Sequence, residues 1–134
     1  MDDKQFAAEK KRVEKVLLKW AKALGLRHTW WMHYKWFRGP LPPYPDETTE
    51  YAAEAMMDCK VHWQYLKAFI RVNCEMTAEH DDEALEWAVV HELMHVFLRE
   101  MREEGILHEE RVASQLANAI IWLRDDVAKG KGPC

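Results

Sequence analysis

The sequence is poor in cysteine and glycine, and it contains no apolar run long enough to cross a bilayer. Its three cysteines, Cys59, Cys74 and Cys134, form neither an even set nor a CxxC pair, which argues against a disulfide framework and against a cysteine zinc site. The first residues, Met1-Asp2-Asp3-Lys4, lack a signal-peptide pattern. We therefore expect a cytoplasmic protein with no membrane partner.

The length and charge of the chain predict one globular domain with an uneven surface. Its 134 residues fit a single domain over 1–134 with one modest core. The net charge of −4 conceals twelve acids against two bases in residues 75–110, whereas residues 1–27 are rich in Lys and Arg. If the acids of residues 75–110 line a cleft, they would attract basic peptides and disfavour nucleic acid. More commonly, such acids form the solvated face of a helix.

One His-Glu-x-x-His motif, made by His91, Glu92 and His95, lies in an apolar run. On an α-helix, residues four apart lie on one face, so both imidazoles can reach a single ion. Zn²⁺ accepts two neutral imidazoles, and a catalytic site then needs a third ligand and an open position for water. Glu92 is placed to accept a proton from that water. Chance could produce this spacing too, but the apolar flanks bury the helix and favour a metal site.

The third ligand is expected at the start of the last predicted helix, where His108, Glu109 and Glu110 follow one another. By helical phase, Glu109 points to the middle of the apolar stripe and Glu110 to its small-residue edge, over Ala113 and Ala117. Small neighbours leave room for a metal, which favours Glu110 over Glu109. Either carboxylate would complete a His₂Glu site, and either could instead be an N-terminal acid that compensates the helix dipole.

The order of predicted elements indicates an α+β fold. We expect three strands to form a small, mainly antiparallel sheet, with the proline-rich residues 38–50 as a loop and residues 128–134 as a flexible tail. The predicted elements are a helix at 4–24, strands at 29–37, 51–59 and 66–73, a motif helix from Asp81 or Asp82 to about Arg102, and a helix at 108–127 with a stripe of Val112, Leu116, Ile120 and Leu123.

The motif, followed by Glu110-Arg-Val-Ala-Ser-Gln-Leu-Ala117, resembles the zincin-like metallopeptidases that have a glutamate third ligand. The resemblance is greatest to small phage and prophage metallopeptidases, and it is more distant to the ImmA/IrrE group and to thermolysin-like enzymes. It implies a minimal zincin-like fold, one Zn²⁺ held by His91, His95 and Glu110, and Glu92 as general base. The sequence departs from the family at Ser114, where many members carry an acid that orients a ligand histidine.

These observations predict a zinc metallopeptidase that acts on a protein or peptide, bound as an extended strand at a free sheet edge. The oxyanion could be stabilised by His62, Tyr65 or His108, between which the sequence does not choose. The alternative is a catalytically inactive zinc-binding protein that acts as a protein- or nucleic-acid-binding module. Its nucleic-acid contact would be the basic face of the first helix, which is more often only solvated: Lys11, Arg12, Lys15, Lys19 and Lys22.

Overall fold

The computed structural model describes residues 1–44, 54–103 and 108–129, without the side chains of residues 100–103. Within these ranges the chain forms an α+β structure. Its elements are α1 (Asp3–Ala23), α2 (Leu26–Thr29), β1 (Trp31–Phe37), β2 (Met57–His62), a 3₁₀ turn (Trp63–Tyr65), β3 (Lys67–Asn73), α3 (Cys74–Ala78), α4 (Asp82–Glu103) and α5 (Glu109–Ala128).

The three strands form a mixed sheet in the order β1-β3-β2, so the prediction of a mainly antiparallel sheet was wrong. β2 and β3 are joined by the short 3₁₀ turn and therefore pair antiparallel. β1 pairs parallel with β3, from Trp31 opposite Lys67 to Phe37 opposite Asn73. A parallel pair requires a connection that returns from the end of one strand to the level where that strand began. Between β1 and β3 this connection is residues 38–66, which include β2.

The first helix follows the sequence prediction closely. Asp2 caps it through a capping box with Gln5, in which the Gln5 backbone N–H donates to the Asp2 carboxylate at 2.7 Å. Gly25 follows the helix with φ +74°, a left-handed conformation that glycine adopts without steric cost and that ends the helix. The apolar stripe of α1 is buried at Val13, Leu17, Trp20 and Ala21.

Other element boundaries differ from the predictions. β2 begins at Met57 and continues to His62, so the strand predicted at 51–59 is displaced toward the C-terminus, and residues 51–53 lie outside the described ranges. α2 and α3 were not predicted, because each is too short to show helical periodicity. Of the predicted loop, residues 38–44 are irregular and residues 45–50 are outside the described ranges, as are residues 130–134 of the predicted tail.

The helices cover one face of the sheet. Ala68, Ile70 and Val72 of β3 are fully buried on that face and belong to one core with residues of α1 and α4. α4 packs along β2 and is flanked by α1 and α5. The core thus fixes α4 by its apolar residues Leu85, Val89 and Leu93. Among the described helices, none is long and apolar enough to cross a membrane.

Candidate metal centre

α4 brings the two motif histidines together. The Asp81 carboxylate caps the helix by accepting the Ala84 backbone N–H at 2.8 Å. One turn apart, the rings of His91 and His95 have centroids 5.0 Å apart at 73°, and their Nε2 atoms are 3.3 Å from each other. Both histidines are buried. Two imidazole nitrogens therefore converge on one point at the edge of the core.

The first turn of α5 supplies a carboxylate to the same point. Glu110 Oε2 lies 3.1 Å from His91 Nε2, and Glu110 Oε1 lies 2.9 Å from His95 Nε2. A zinc ion with ligands at 2.0–2.1 Å in a tetrahedron separates them by about 3.3–3.4 Å. The three donor groups are therefore spaced nearly as they would be around such an ion, and the group could hold a metal.

The cluster is covered on the histidine side and open on the carboxylate side. The Glu110 side chain is 76% exposed, whereas the His91 and His95 side chains are 11% and 7% exposed. A catalytic zinc site keeps one coordination position for water or substrate, unlike a closed structural site with four protein ligands. Among the described residues, this cluster has three protein donors and thus fits the open type.

Glu109 takes a different role from that of Glu110. Its Oε1 accepts a hydrogen bond from His95 Nδ1 at 2.6 Å, and its side chain is only 9% exposed. Donation from Nδ1–H leaves the Nε2 lone pair of His95 directed at the cluster, which is the tautomer that a metal ligand needs. Arg99 lies behind Glu109, with Nε 3.5 Å from Oε1, and donates to the Cys59 carbonyl at 3.3 Å.

His91 is held by neutral groups. Ser114 Oγ lies 3.3 Å from His91 Nδ1, so the position that departs from the zincin-like pattern still provides a partner for the ring. The Trp87 ring packs against the imidazole with centroids 5.0 Å apart, and the indole N–H donates to Asn118 at 2.6 Å. Burial lowers the pKa of His91 below its ordinary value of 6.5, although the Glu110 carboxylate opposes this effect. The ring thus stays neutral to a lower pH, as metal ligation requires.

Glu92 lies near enough to Glu110 of the cluster and to Asp58 and Cys59 of β2 to interact with them electrostatically. It is half-buried, and desolvation raises its pKa well above the ordinary value of 4.5. The carboxylates of Glu110 and Asp58 raise the pKa further, while the Arg99 guanidinium lowers it. In these surroundings the Glu92 carboxyl group keeps its proton to a higher pH than a free glutamate does.

The three candidates for oxyanion stabilisation have different positions. His62 contacts Phe69 edge to face on the sheet face opposite the helices, which separates it from the cluster. Tyr65 is 75% exposed in the 3₁₀ turn, and His108 is exposed just before α5 with φ +70°. The sequence reasoning missed Glu109 as the partner of His95, because that contact depends on how α5 crosses α4.

Comparisons of this chain with protein-family models, with curated proteins and with solved structures find no match.

Proposed function

We propose that this protein is a zinc-dependent metallopeptidase of the zincin type, located in the cytoplasm. The single observation that carries the proposal is the convergence of two buried Nε2 atoms and one exposed carboxylate within 2.9–3.3 Å, with Glu92 beside them on the same helix. His₂Glu sites of this kind are catalytic zinc sites. His91, His95 and Glu110 would hold the ion.

The residues around the cluster support a hydrolytic mechanism. When bound, zinc would lower the pKa of a water ligand toward about 7 and polarise a carbonyl group. Glu92 accepts a proton from the attacking water and returns it to the leaving amine, first as general base and then as general acid. Glu109 would hold His95 in the tautomer that directs Nε2 to the ion, and Ser114 gives Nδ1 of His91 a hydrogen-bond partner.

The sheet edge beside α4 suits an extended peptide. Among the described residues, β3 is the one strand that pairs with β2, so the outer side of β2 is a strand edge next to the helix that carries Glu92. A substrate segment that adds to such an edge gains backbone hydrogen bonds and lies extended. We infer that the substrate is an unfolded or flexible protein segment.

The test compares wild-type protein with Glu92→Gln and with Glu83→Gln, a matched change of an exposed residue in the first turn of α4. Each protein is loaded with zinc, its metal content is measured, and cleavage of an unfolded protein such as casein is followed. We expect one zinc per chain in all three proteins. The cleavage rate should fall by about 10²–10⁴ in Glu92→Gln and stay unchanged in Glu83→Gln.

Two results would reject the proposal. Cleavage by Glu92→Gln at the wild-type rate would exclude the general-base role. Zinc binding by a wild-type protein that cleaves no unfolded substrate would favour the alternative, a zinc-binding module without catalytic activity.

A further inference from the structure

The face of the sheet that points away from the helices carries an unusual set of side chains. The strand register places them in two rows, Trp31–Lys67–His62 and His33–Phe69–Lys60. We call these six residues the aromatic patch. The metal cluster lies on the other side of the sheet, in the helix layer.

The rings of the aromatic patch form a stack that ends at an exposed indole. Trp31 packs on His33 with centroids 5.3 Å apart at 22°, and His33 packs on Phe69 with centroids 4.9 Å apart at 12°. His62 meets Phe69 edge to face at 5.6 Å. Trp31 is the end ring, and 63% of it is exposed. An exposed ring at the end of a stack can be extended by another planar ring, since aromatic faces attract one another.

Positive charge lies at this end ring. Lys67 Nζ lies over the Trp31 ring, 5.2 Å from its centroid, and neither row of the patch contains an acidic residue. In the next row, Lys35 is exposed, and Asp58 is paired with Arg71. The chain as a whole has a net charge of −4, so this face differs in sign from the whole molecule. Its charge is complementary to a polyanion.

The basic face of α1 is less suited to the same partner. Arg12 is bound by Glu9 and Asp82 at 2.9 Å, and Lys19 is 3.2 Å from Glu86. Both positive charges are therefore already compensated by carboxylates. The one tryptophan of the helix, Trp20, is buried and offers no ring for stacking.

We propose that the aromatic patch binds single-stranded nucleic acid. A base stacks on the exposed part of the Trp31 indole, and the Lys67 ammonium turns from the ring to a neighbouring phosphate, as does that of Lys35. Proteins commonly bind single strands without sequence preference in this way. A duplex hides its base faces in its own stack, so only its phosphates would be recognised. This site is separate from the metal cluster, and binding should not require zinc or Glu92.

The test is fluorescence anisotropy of labelled single strands about twelve nucleotides long, oligo-dT and oligo-U, with the full chain at low salt. A duplex of the same length is measured in parallel, and all titrations are repeated with a chelator present. Trp31→Ala should weaken binding of the single strands about tenfold or more, and Trp31→Phe should restore most of it. The oligo-dT and oligo-U titrations show whether DNA or RNA is preferred.

Lys67→Glu and Lys11→Glu form the matched pair of charge reversals. Lys11 is exposed on α1, so both variants change the net charge equally. Only Lys67→Glu should reduce the slope of log K against log salt, by about 0.7 for one lost phosphate contact. Circular dichroism checks that each variant is folded.

Several results would overturn the proposal. These are no binding of either single strand at low salt, binding as strong to the duplex as to the single strands, or unchanged affinity in Trp31→Ala. Equal weakening by Lys11→Glu and Lys67→Glu would also reject it. A dimer in wild type that becomes a monomer in Trp31→Ala, without oligonucleotide binding, would show that the patch joins two copies of the chain instead.

Discussion

Two helices flank α4, and they contact it through opposite kinds of surface. α1 buries the large side chains of Val13, Leu17 and Trp20. α5 buries only Ala113 and Ala117, while Leu116, Trp122, Leu123 and Val127 of the same helix are exposed. Of the stripe predicted for α5, Leu116 and Leu123 are exposed, whereas Val112 is half-buried and Ile120 packs against the core.

The difference suggests different roles for the two helices: α1 mainly stabilises the fold, and α5 supplies residues of the cluster. Burial of a side chain such as Leu17 contributes about 1.5–3 kcal/mol, so the packing of α1 into the common core stabilises the fold. Alanines contribute much less, but they allow two helices to approach closely. Close approach brings Glu109, Glu110 and Ser114 of α5 to the two histidines of α4. A bound metal would then stabilise this weaker contact by mass action.

The largest change in metal affinity is expected from Glu110→Gln. An amide is a poorer zinc ligand than a carboxylate. Loss of a residue that hydrogen-bonds a ligand lowers metal affinity up to about 100-fold, and loss of a ligand itself should lower it by more. The zinc-induced rise in Tm should disappear as well. Competition with a chromophoric chelator measures the affinity, and Glu83→Gln is the control. A Kd within tenfold of wild type would mean that α5 does not supply the ligand.

The largest change in stability is expected from Leu17→Ala in α1. Leu17 is fully buried, so its truncation should lower the free energy of unfolding by about 2–5 kcal/mol. Leu18→Ala is the matched control, because Leu18 is 42% exposed and should cost little. Urea denaturation measures both. The zinc affinity of the folded Leu17→Ala protein should equal that of wild type, and a large loss would contradict the different roles of α1 and α5.

Glu109→Gln should have a smaller effect on the same metal centre. It removes the charge from the hydrogen bond to His95 and should reduce zinc affinity about 10–100-fold. Ser114→Ala should reduce it less, because the hydroxyl is neutral and lies 3.3 Å from His91. Chelator competition with both variants ranks the two partners. If Ser114→Ala had the larger effect, zinc affinity would depend more on the hydrogen bond to His91 than on the hydrogen bond to His95.

The smallest effect concerns Glu92 in metal-free protein. The pKa of Glu92 is higher in the folded than in the unfolded chain, so its stabilising contribution is present near pH 4 and is lost as pH rises through the folded value. Glu92→Gln should therefore raise the Tm of the metal-free protein at pH 8 and leave it unchanged at pH 4. Thermal melts with a chelator test this, and an equal shift at both pH values would show that charge burial is not the cause.

Elements with strong local signals were predictable, and the packing between elements was not. The span of α1 and the start of α4 are local features, so apolar periodicity predicted a helix at 4–24 and the acidic residues Asp81 and Asp82 predicted where the motif helix begins. Whether β1 runs parallel or antiparallel to its neighbour depends on the path of the chain between β1 and β3. The sequence prediction of a mainly antiparallel sheet was wrong for this reason. The small-residue edge of Ala113 and Ala117 favoured Glu110 as the ligand, and both alanines are buried, but no local pattern showed how closely α5 would approach α4.

The spacing of His91 and His95 was determined by the sequence alone, because one helical turn places both on one face whatever surrounds them. Helical phase favoured Glu110 over Glu109 as the third ligand. The tertiary structure decided that Glu110 reaches both histidines and that Glu109 contacts His95 from behind, because both contacts depend on how α5 crosses α4. It also decided that β1 and β3 run parallel and that aromatic side chains of β1, β2 and β3 meet on the sheet face turned away from the helices. Register between strands and contact between helices depend on residues far apart in the chain, and no local pattern encodes them.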